Sequence, residues 1–299
     1  MKLAVAVEGS LFPPDQQHRI LEVARLADEA GIDYFTVPEH VLMGSNANEQ
    51  DPWSSWQPQH LDMPWHEPLI TLGAATGITS RIKLVSSVVI APLRPAGLLA
   101  KMAATLHALS QGRFIMGVSP SWHKDEYDAL GVPFDRRGQI LEDTIGACRA
   151  LWESAPASFH SPTVNFDGMY CSPRPQPGER IPVWFTGKFT PRMVRRTVAL
   201  GDGWMPYGVY GMTLDQKADA IRQLRTSFSE AGRDPDKLEV ADTLPVIEGS
   251  LKSSLEHLPA MAHAGITVAR VGLQRFVTDP DQLPETIDDL VRHFNLIAL

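Results

Sequence analysis

The sequence predicts an α/β fold: a single (β/α)8 TIM barrel with an insertion after strand 2 and a small hairpin before strand 5. Three observations point there. Apolar runs of strand length alternate with helix-period segments almost from end to end. Eight such strand–helix units fit into 299 residues, roughly 37 residues each, close to the barrel norm. No Gly-x-Gly-x-x-Gly turn follows an early strand, which disfavours the doubly wound open sheet that shares this rhythm. Length alone allows two domains or one enlarged one, and the strand count predicts one domain over residues 1–299.

The first strand is 3–8. Its helix, 15–30, puts Ile20, Val23, Ala24, Leu26 and Ala27 on one face, and Gly31 ends it. The second strand, 34–38, runs into Glu39 and His40, and residues 41–63 form an insertion rich in Asn, Gln, Pro and Trp. A helix over 67–79 leads to the third strand, 82–90; Pro92 and Pro95 open a helix to about 110; the fourth strand is 113–118. Helical stretches at 124–130 and 136–154 precede a hairpin, 158–171, turning around Phe166-Asp167-Gly168-Met169. The fifth strand, 183–186, feeds a helix over 191–200. A short sixth strand, 203–205, precedes a helix over 214–231; a seventh, 238–246, precedes one over 253–264; the last, 267–271, precedes one over 282–296.

Composition excludes several classes. A chain that is 43% hydrophobic and 21% charged is ordinary for a soluble globular protein, not a disordered or coiled-coil one. No apolar run approaches the roughly 18–20 residues that span a bilayer, and the N-terminus reads as a strand rather than a signal peptide. Net charge is −8, with 27 basic against 35 acidic residues, so neither nucleic acid nor membrane is an expected partner. Cys148 and Cys171 have no metal-ligand spacing and are too few for a disulfide scaffold. A cytoplasmic location is the expectation.

In a barrel the chemistry gathers at the C-terminal ends of the strands. There, His40 stands where proton transfer or polarisation of a carbonyl needs an imidazole, though a histidine capping the next segment fits equally. Ser86 and Ser87 interrupt the apolar third strand and must find partners, which a neighbouring backbone group could supply. The fourth strand ends in Gly117-Val118-Ser119-Pro120-Ser121-Trp122-His123, small residues that let a ligand approach, then an aromatic wall. After the fifth, Gly187-Lys188-Phe189 leads to a helix start with Thr190 as cap and Pro191 first, a turn suited to phosphate. The insertion and its flank carry Trp53, Trp56, His60, Trp65 and His66, an aromatic lid over the mouth or a packed surface loop. There is no His-Glu-x-x-His and no Gly-x-Ser-x-Gly, so metal-hydrolase and serine-hydrolase chemistry lack support, and no metal is expected. Glu8 and Glu39 remain a conceivable glycosidase pair.

A family likeness rests on particular runs. Gly112-Arg113-Phe114-Ile115-Met116-Gly117-Val118 is followed by Trp122, Glu126, Ala129-Leu130-Gly131-Val132-Pro133-Phe134 and Arg137-Gly138. Supporting pieces are Leu99-Ala100-Lys101, Ile181-Pro182-Val183-Trp184 and Leu200-Gly201-Asp202-Gly203-Trp204. Together they resemble the bacterial luciferase-like monooxygenase superfamily, in the branch assigned to the deazaflavin coenzyme F420. The likeness covers about residues 1–210 by motif and the rest by element order. Two turns depart from the family pattern: the fourth strand lacks a Gly-x-Gly-x-Gly run, and Gly187-Lys188-Phe189 replaces a Gly-Gly-Asn-like phosphate turn.

The resemblance implies a barrel with the cofactor ring across its mouth. It implies that Glu39 and His40 lie near the ring as the catalytic candidates, His40 to supply or accept the proton or to hold the ring, and Glu39 to orient it. Ser87-Val88 would form a non-prolyl cis peptide backing the ring, Ser119-Pro120-Ser121-Trp122 would follow the ring edge, and Gly187, Lys188 and Phe189 would meet the phosphate. Hydride would pass between F420 and a mainly apolar small molecule beneath Trp53, Trp56, His60, Trp65 and His66. The alternative in the same fold is an FMN-dependent monooxygenase using oxygen and a separate reductase; outside it stands a non-catalytic cofactor-binding barrel. Family members often pair, so a homodimer is the expected state.

Overall fold

The computed structural model describes residues 1–51, 61–207 and 210–297. In chain order the elements are β1 (Lys2–Ala6), α1 (Ile20–Glu29), β2 (Tyr34–Val37), α2 (Ala47–Gln50), α3 (Pro68–Thr76), β3 (Lys83–Ile90), α4 (Ala96–Leu109), β4 (Phe114–Ser119), α5 (Lys124–Ala129) and α6 (Arg137–Glu153). There follow β5 (Ala157–His160), β6 (Asn165–Met169), β7 (Val183–Thr186), α7 (Pro191–Leu200), β8 (Gly203–Met205) and α8 (Leu214–Glu230). The chain ends with β9 (Glu239–Thr243), α9 (Leu251–Leu255), α10 (Leu258–His263), β10 (Val268–Gly272) and α11 (Leu283–Leu296). Eight strands close a parallel barrel in the order β1-β10-β9-β8-β7-β4-β3-β2, and β5 and β6 form a separate antiparallel pair. The architecture is the (β/α)8 barrel that strand counting predicts.

Local chemistry explains most boundaries. The Glu67 carboxylate accepts the Ile70 N–H and starts α3, and the Thr190 hydroxyl accepts the Met193 N–H and starts α7. Thr213 and Gln216 form a reciprocal capping box on α8. The first and seventh barrel strands end earlier than expected, at Ala6 and Thr243, and three further elements differ from the sequence expectation. The helix over 15–30 begins as a 3-10 run, Pro14–Arg19, before α1. The helix over 253–264 divides into α9 and α10, because Pro259 opens α10 and lacks the N–H that a continuous helix would need. The hairpin turns at 161–164, where the Ser161 hydroxyl accepts the Thr163 and Val164 N–H groups. Phe166–Met169 therefore lies on β6, and Asp167-Gly168 is not the turn.

Two apolar cores result. The larger fills the space between strands and helices. The smaller lies inside the barrel and takes one residue from each barrel strand: Ala4, Tyr34, Val85, Ile115, Trp184, Met205, Ala241 and Val268. The Tyr34 and Trp184 rings, 5.6 Å apart, help to plug it. Ligand space is thereby confined to the layer above, where the inward positions turn polar.

The β3–β4 contact shapes that layer. The Ser87–Val88 peptide is cis, as the resemblance implies, and the register of β3 on β4 shifts between Ser86 and Val89. Ser86 Oγ donates to the Gly117 carbonyl at 3.0 Å, the backbone partner that a buried serine needs. The two strands lie so close that a Cβ on Gly117 would sit 2.1 Å from the Ser86 oxygen. Cys148 and Cys171 are free and buried, and among the described residues no helix is long and apolar enough to cross a membrane.

Candidate functional site

A cavity of about 640 Å³ opens at the C-terminal ends of the strands. Of the sequence-predicted site residues, Glu39, His40, Trp65, Ser87, Val88 and Trp122 line it. Trp53, Trp56 and His60 lie outside the described residues.

His40 follows β2 and is nearly buried. Its ring meets Trp65 and Trp122 edge-on, with centroids 4.8 and 5.5 Å away. Its Nδ1 lies 3.5 Å from the Glu126 carboxylate, which is fully buried on α5 and also accepts the Val41 and Leu42 N–H groups. An imidazole beside a buried carboxylate, at an aromatic wall, can hold or pass a proton.

The expectation that Glu39 orients His40 is corrected here. Both Glu39 oxygens are taken by Arg94, and one also accepts the Ile90 N–H at 2.6 Å. Arg94 continues to Glu67 at 2.7 Å, so the chain of charges ties the end of β2 to β3 and to the start of α3. Burial pushes the Glu39 carboxyl up, against the pull of Arg94. A carboxylate so occupied serves the fold, and the same contacts leave it ill-suited to a glycosidase pair with Glu8.

The loop after β4 is held from two sides. Ser121 adopts φ +58°, the left-handed region that glycine enters without cost, and its N–H donates to Ser119 Oγ at 3.0 Å. The serine turn thus retains a glycine-like backbone. The Tyr127 hydroxyl donates to the Pro120 carbonyl. His123 is buried; its Nε2 accepts the Gly44 N–H at 2.8 Å and its Nδ1 lies 3.0 Å from Gln50 Oε1. That pattern needs neutral imidazole with the proton on Nδ1, and burial pushes His123 down accordingly. Gln50 Oε1 also accepts the Lys124 N–H, so α2 is fastened to the start of α5.

Ser119, Pro120, Ser121, Gly187, Lys188, Phe189 and His66 do not line the cavity. The Gly187 carbonyl accepts the Trp204 indole N–H at 3.0 Å, Phe189 packs on the same indole, and Lys188 is exposed before α7. His66 is half-buried, and burial lowers its pKa.

Sequence reasoning passed over three parts of the site. Tyr207, just beyond β8, places its hydroxyl 2.6 Å from Ser87 Oγ, and burial pushes its pKa up, which keeps the phenol protonated at neutral pH. Lys217 on α8 pairs with buried Asp242 on β9. Arg270 on β10 reaches into the cavity floor. A charged residue inside the apolar run of a barrel strand was the legible signal for Arg270 and for Asp242. Among the described residues no cluster suits a metal ion.

Comparison with known proteins gives a consistent picture. The family described as luciferase-like monooxygenase matches residues 4–270. An uncharacterized protein of Mycobacterium tuberculosis is 30% identical over 270 residues, 88% of this chain and 90% of that one. Among solved structures, the monooxygenase RslO1 from Streptomyces bottropensis superposes with a TM-score of 0.78 at 17% identity, covering 99% of both chains. An F420-dependent secondary alcohol dehydrogenase, in complex with an F420-acetone adduct, gives 0.76 at 17% identity, covering 98% of both. At that identity the two structures speak to the fold alone.

Proposed function

The chain belongs to the luciferase-like monooxygenase family, and from that premise we propose that it transfers hydride between the deazaflavin F420 and a small, mainly apolar organic substrate. The family supports an oxidoreductase; F420 and the substrate class are our reading. The observation that carries it is the cavity itself: an imidazole–carboxylate pair, His40 and Glu126, set among Trp65 and Trp122 at a barrel mouth.

The residues present fit such a cofactor. The volume of about 640 Å³ lies within the range of small-molecule sites, and Val88, Trp65 and Trp122 offer apolar surface to a flat ring. Ser87 and Tyr207 add hydroxyls at its floor. In this reading Ser87 and Val88 back the ring, Trp122 borders it, and the exposed turn at Lys188, leading into α7, takes the phosphate of the tail. F420, when bound, supplies the hydride chemistry. The chain supplies the rest: His40 gives or takes the substrate's proton, Glu126 fixes the imidazole, and the tryptophans exclude water.

A second reading, FMN with oxygen and a separate reductase, draws on the family's description as luciferase-like monooxygenase. Titration of the cofactor-free protein with oxidised F420 and with FMN separates the two. Tighter binding of F420 supports our reading, and tighter binding of FMN overturns it.

A further inference from the structure

Arg270 occupies an inward position one layer above Val268, the residue that β10 gives to the apolar plug. It is only 9% exposed, and what remains exposed opens into the cavity. Its polar contacts are thin. Nε donates to Thr36 Oγ1 and Nη1 to Thr243 Oγ1, both at 3.4 Å, and the guanidinium lies over the Tyr207 ring with 5.6 Å to the centroid. Among the described residues Nη2 has no acceptor, and no carboxylate stands within ion-pair distance of the side chain.

The other charges around the cavity are accounted for differently. Glu39 is taken by Arg94, and Asp242 is ion-paired with Lys217, Arg270 acting on it only through space. Glu8 follows β1 and also lines the cavity, but it forms no ion pair with Arg270, whose register partner on β1 is Ala4. A buried cation with two weak neutral acceptors is costly unless an anion joins it. A planar guanidinium with one edge open is the geometry that takes a carboxylate by two parallel hydrogen bonds. The cavity lining also carries Arg275 and Lys217, and Lys217 is already paired with Asp242.

We infer that Arg270 is the seat of a carboxylate borne by the substrate, so that the molecule accepted is an apolar organic acid rather than a neutral one. This rests on the function proposed above and deepens it, because it takes the β9–β10 side of the cavity to hold the substrate beside the cofactor ring. The carboxylate would dock on the β9–β10 side of the floor, with the apolar body of the acid toward His40, Trp65 and Trp122.

Benzoate and benzamide, alike in shape and different in charge, test it on the full chain without added cofactor, with binding followed by calorimetry. Benzoate binds the native protein about tenfold to hundredfold more tightly than benzamide, the range for a charge-assisted contact. In Arg270→Met the ratio falls to about one while benzamide affinity is kept, which also reports an intact cavity. If R270M does not fold, R270K decides: it keeps the charge and loses the fork, and a threefold or greater drop in the ratio supports the inference. Equal binding of the two probes to the native protein overturns it, as does an undiminished ratio in R270M or, where R270M does not fold, in R270K. Loss of F420 or FMN affinity in R270M, with the benzoate preference intact, assigns Arg270 to the cofactor and overturns it too. Should the native protein bind neither cofactor yet show an Arg270-dependent preference, the carboxylate seat stands and the hydride-transfer reading falls.

Discussion

His40 Nδ1 lies 3.5 Å from Glu126 Oε2, which makes the catalytic candidate of β2 dependent on a carboxylate from α5. His40→Ala should lower kcat by about 10²–10⁴-fold with little change in cofactor affinity, the usual yield of a positioned acid or base. Glu126→Gln should lower kcat by about tenfold or more, since it keeps an acceptor for the Val41 and Leu42 N–H groups but loses the charge. Steady-state kinetics beside a cofactor titration check both. Unchanged turnover in H40A removes His40 from the mechanism.

The Glu39–Arg94–Glu67 chain predicts a stability effect instead. Arg94→Ala would leave the Glu39 carboxylate buried and unpaired, at a cost of about 3–5 kcal/mol. Urea unfolding followed by circular dichroism measures it. A loss below about 1 kcal/mol would show that the pair is not holding β2 to α3.

How far the site was legible differs between these two carboxylates. Glu39 and His40 are adjacent in sequence, which favours pairing them, yet each is claimed by a different partner, Glu39 by Arg94 and His40 by Glu126 on α5. Glu126 was visible only as one letter of a family motif, because nothing in α5 says that its buried face meets the end of β2. The barrel, by contrast, was legible from periodicity, and β7, α7 and β8 fall at the predicted residues, bounded by Thr190-Pro191 and by Gly201. Boundaries failed where one side chain overrode the pattern: Ser161 moved the hairpin turn, and Pro259 split a helix. Tyr207 and Arg270 were missed because cavity-facing polar residues in a barrel follow from closure of the sheet, not from any local motif.

Acid should weaken the fold through His123. Its folded pKa is pushed below the unfolded value of about 6.5. Between those two values the unfolded chain binds the extra proton and the folded one does not, so stability is full above about pH 6.5 and declines as pH falls through that window. Thermal melts from pH 7.5 to 5 should show the decline. His123→Asn, which does not titrate, should flatten it, and an unaltered slope would assign the acid sensitivity elsewhere.

Gly117 should tolerate no side chain. A Cβ there would meet the Ser86 oxygen at 2.1 Å, so Gly117→Ala must push β3 and β4 apart beside Ser87. The expected cost is about 1–3 kcal/mol, typical of overpacking. Chemical denaturation measures it, and ligand affinity should fall in parallel as the Ser87–Tyr207 contact is displaced.

The Gln50 side chain joins His123, Lys124 and Asp125 through one carbonyl oxygen, while Asp125 takes its amide N–H. Two stretches far apart in sequence are therefore one mechanical part, and they carry adjoining pieces of the same wall. For anyone recombining relatives of this barrel, 41–51 and 119–126 form a single cassette. A chimera that imports one stretch without the other inherits a wall whose two halves were shaped for different neighbours.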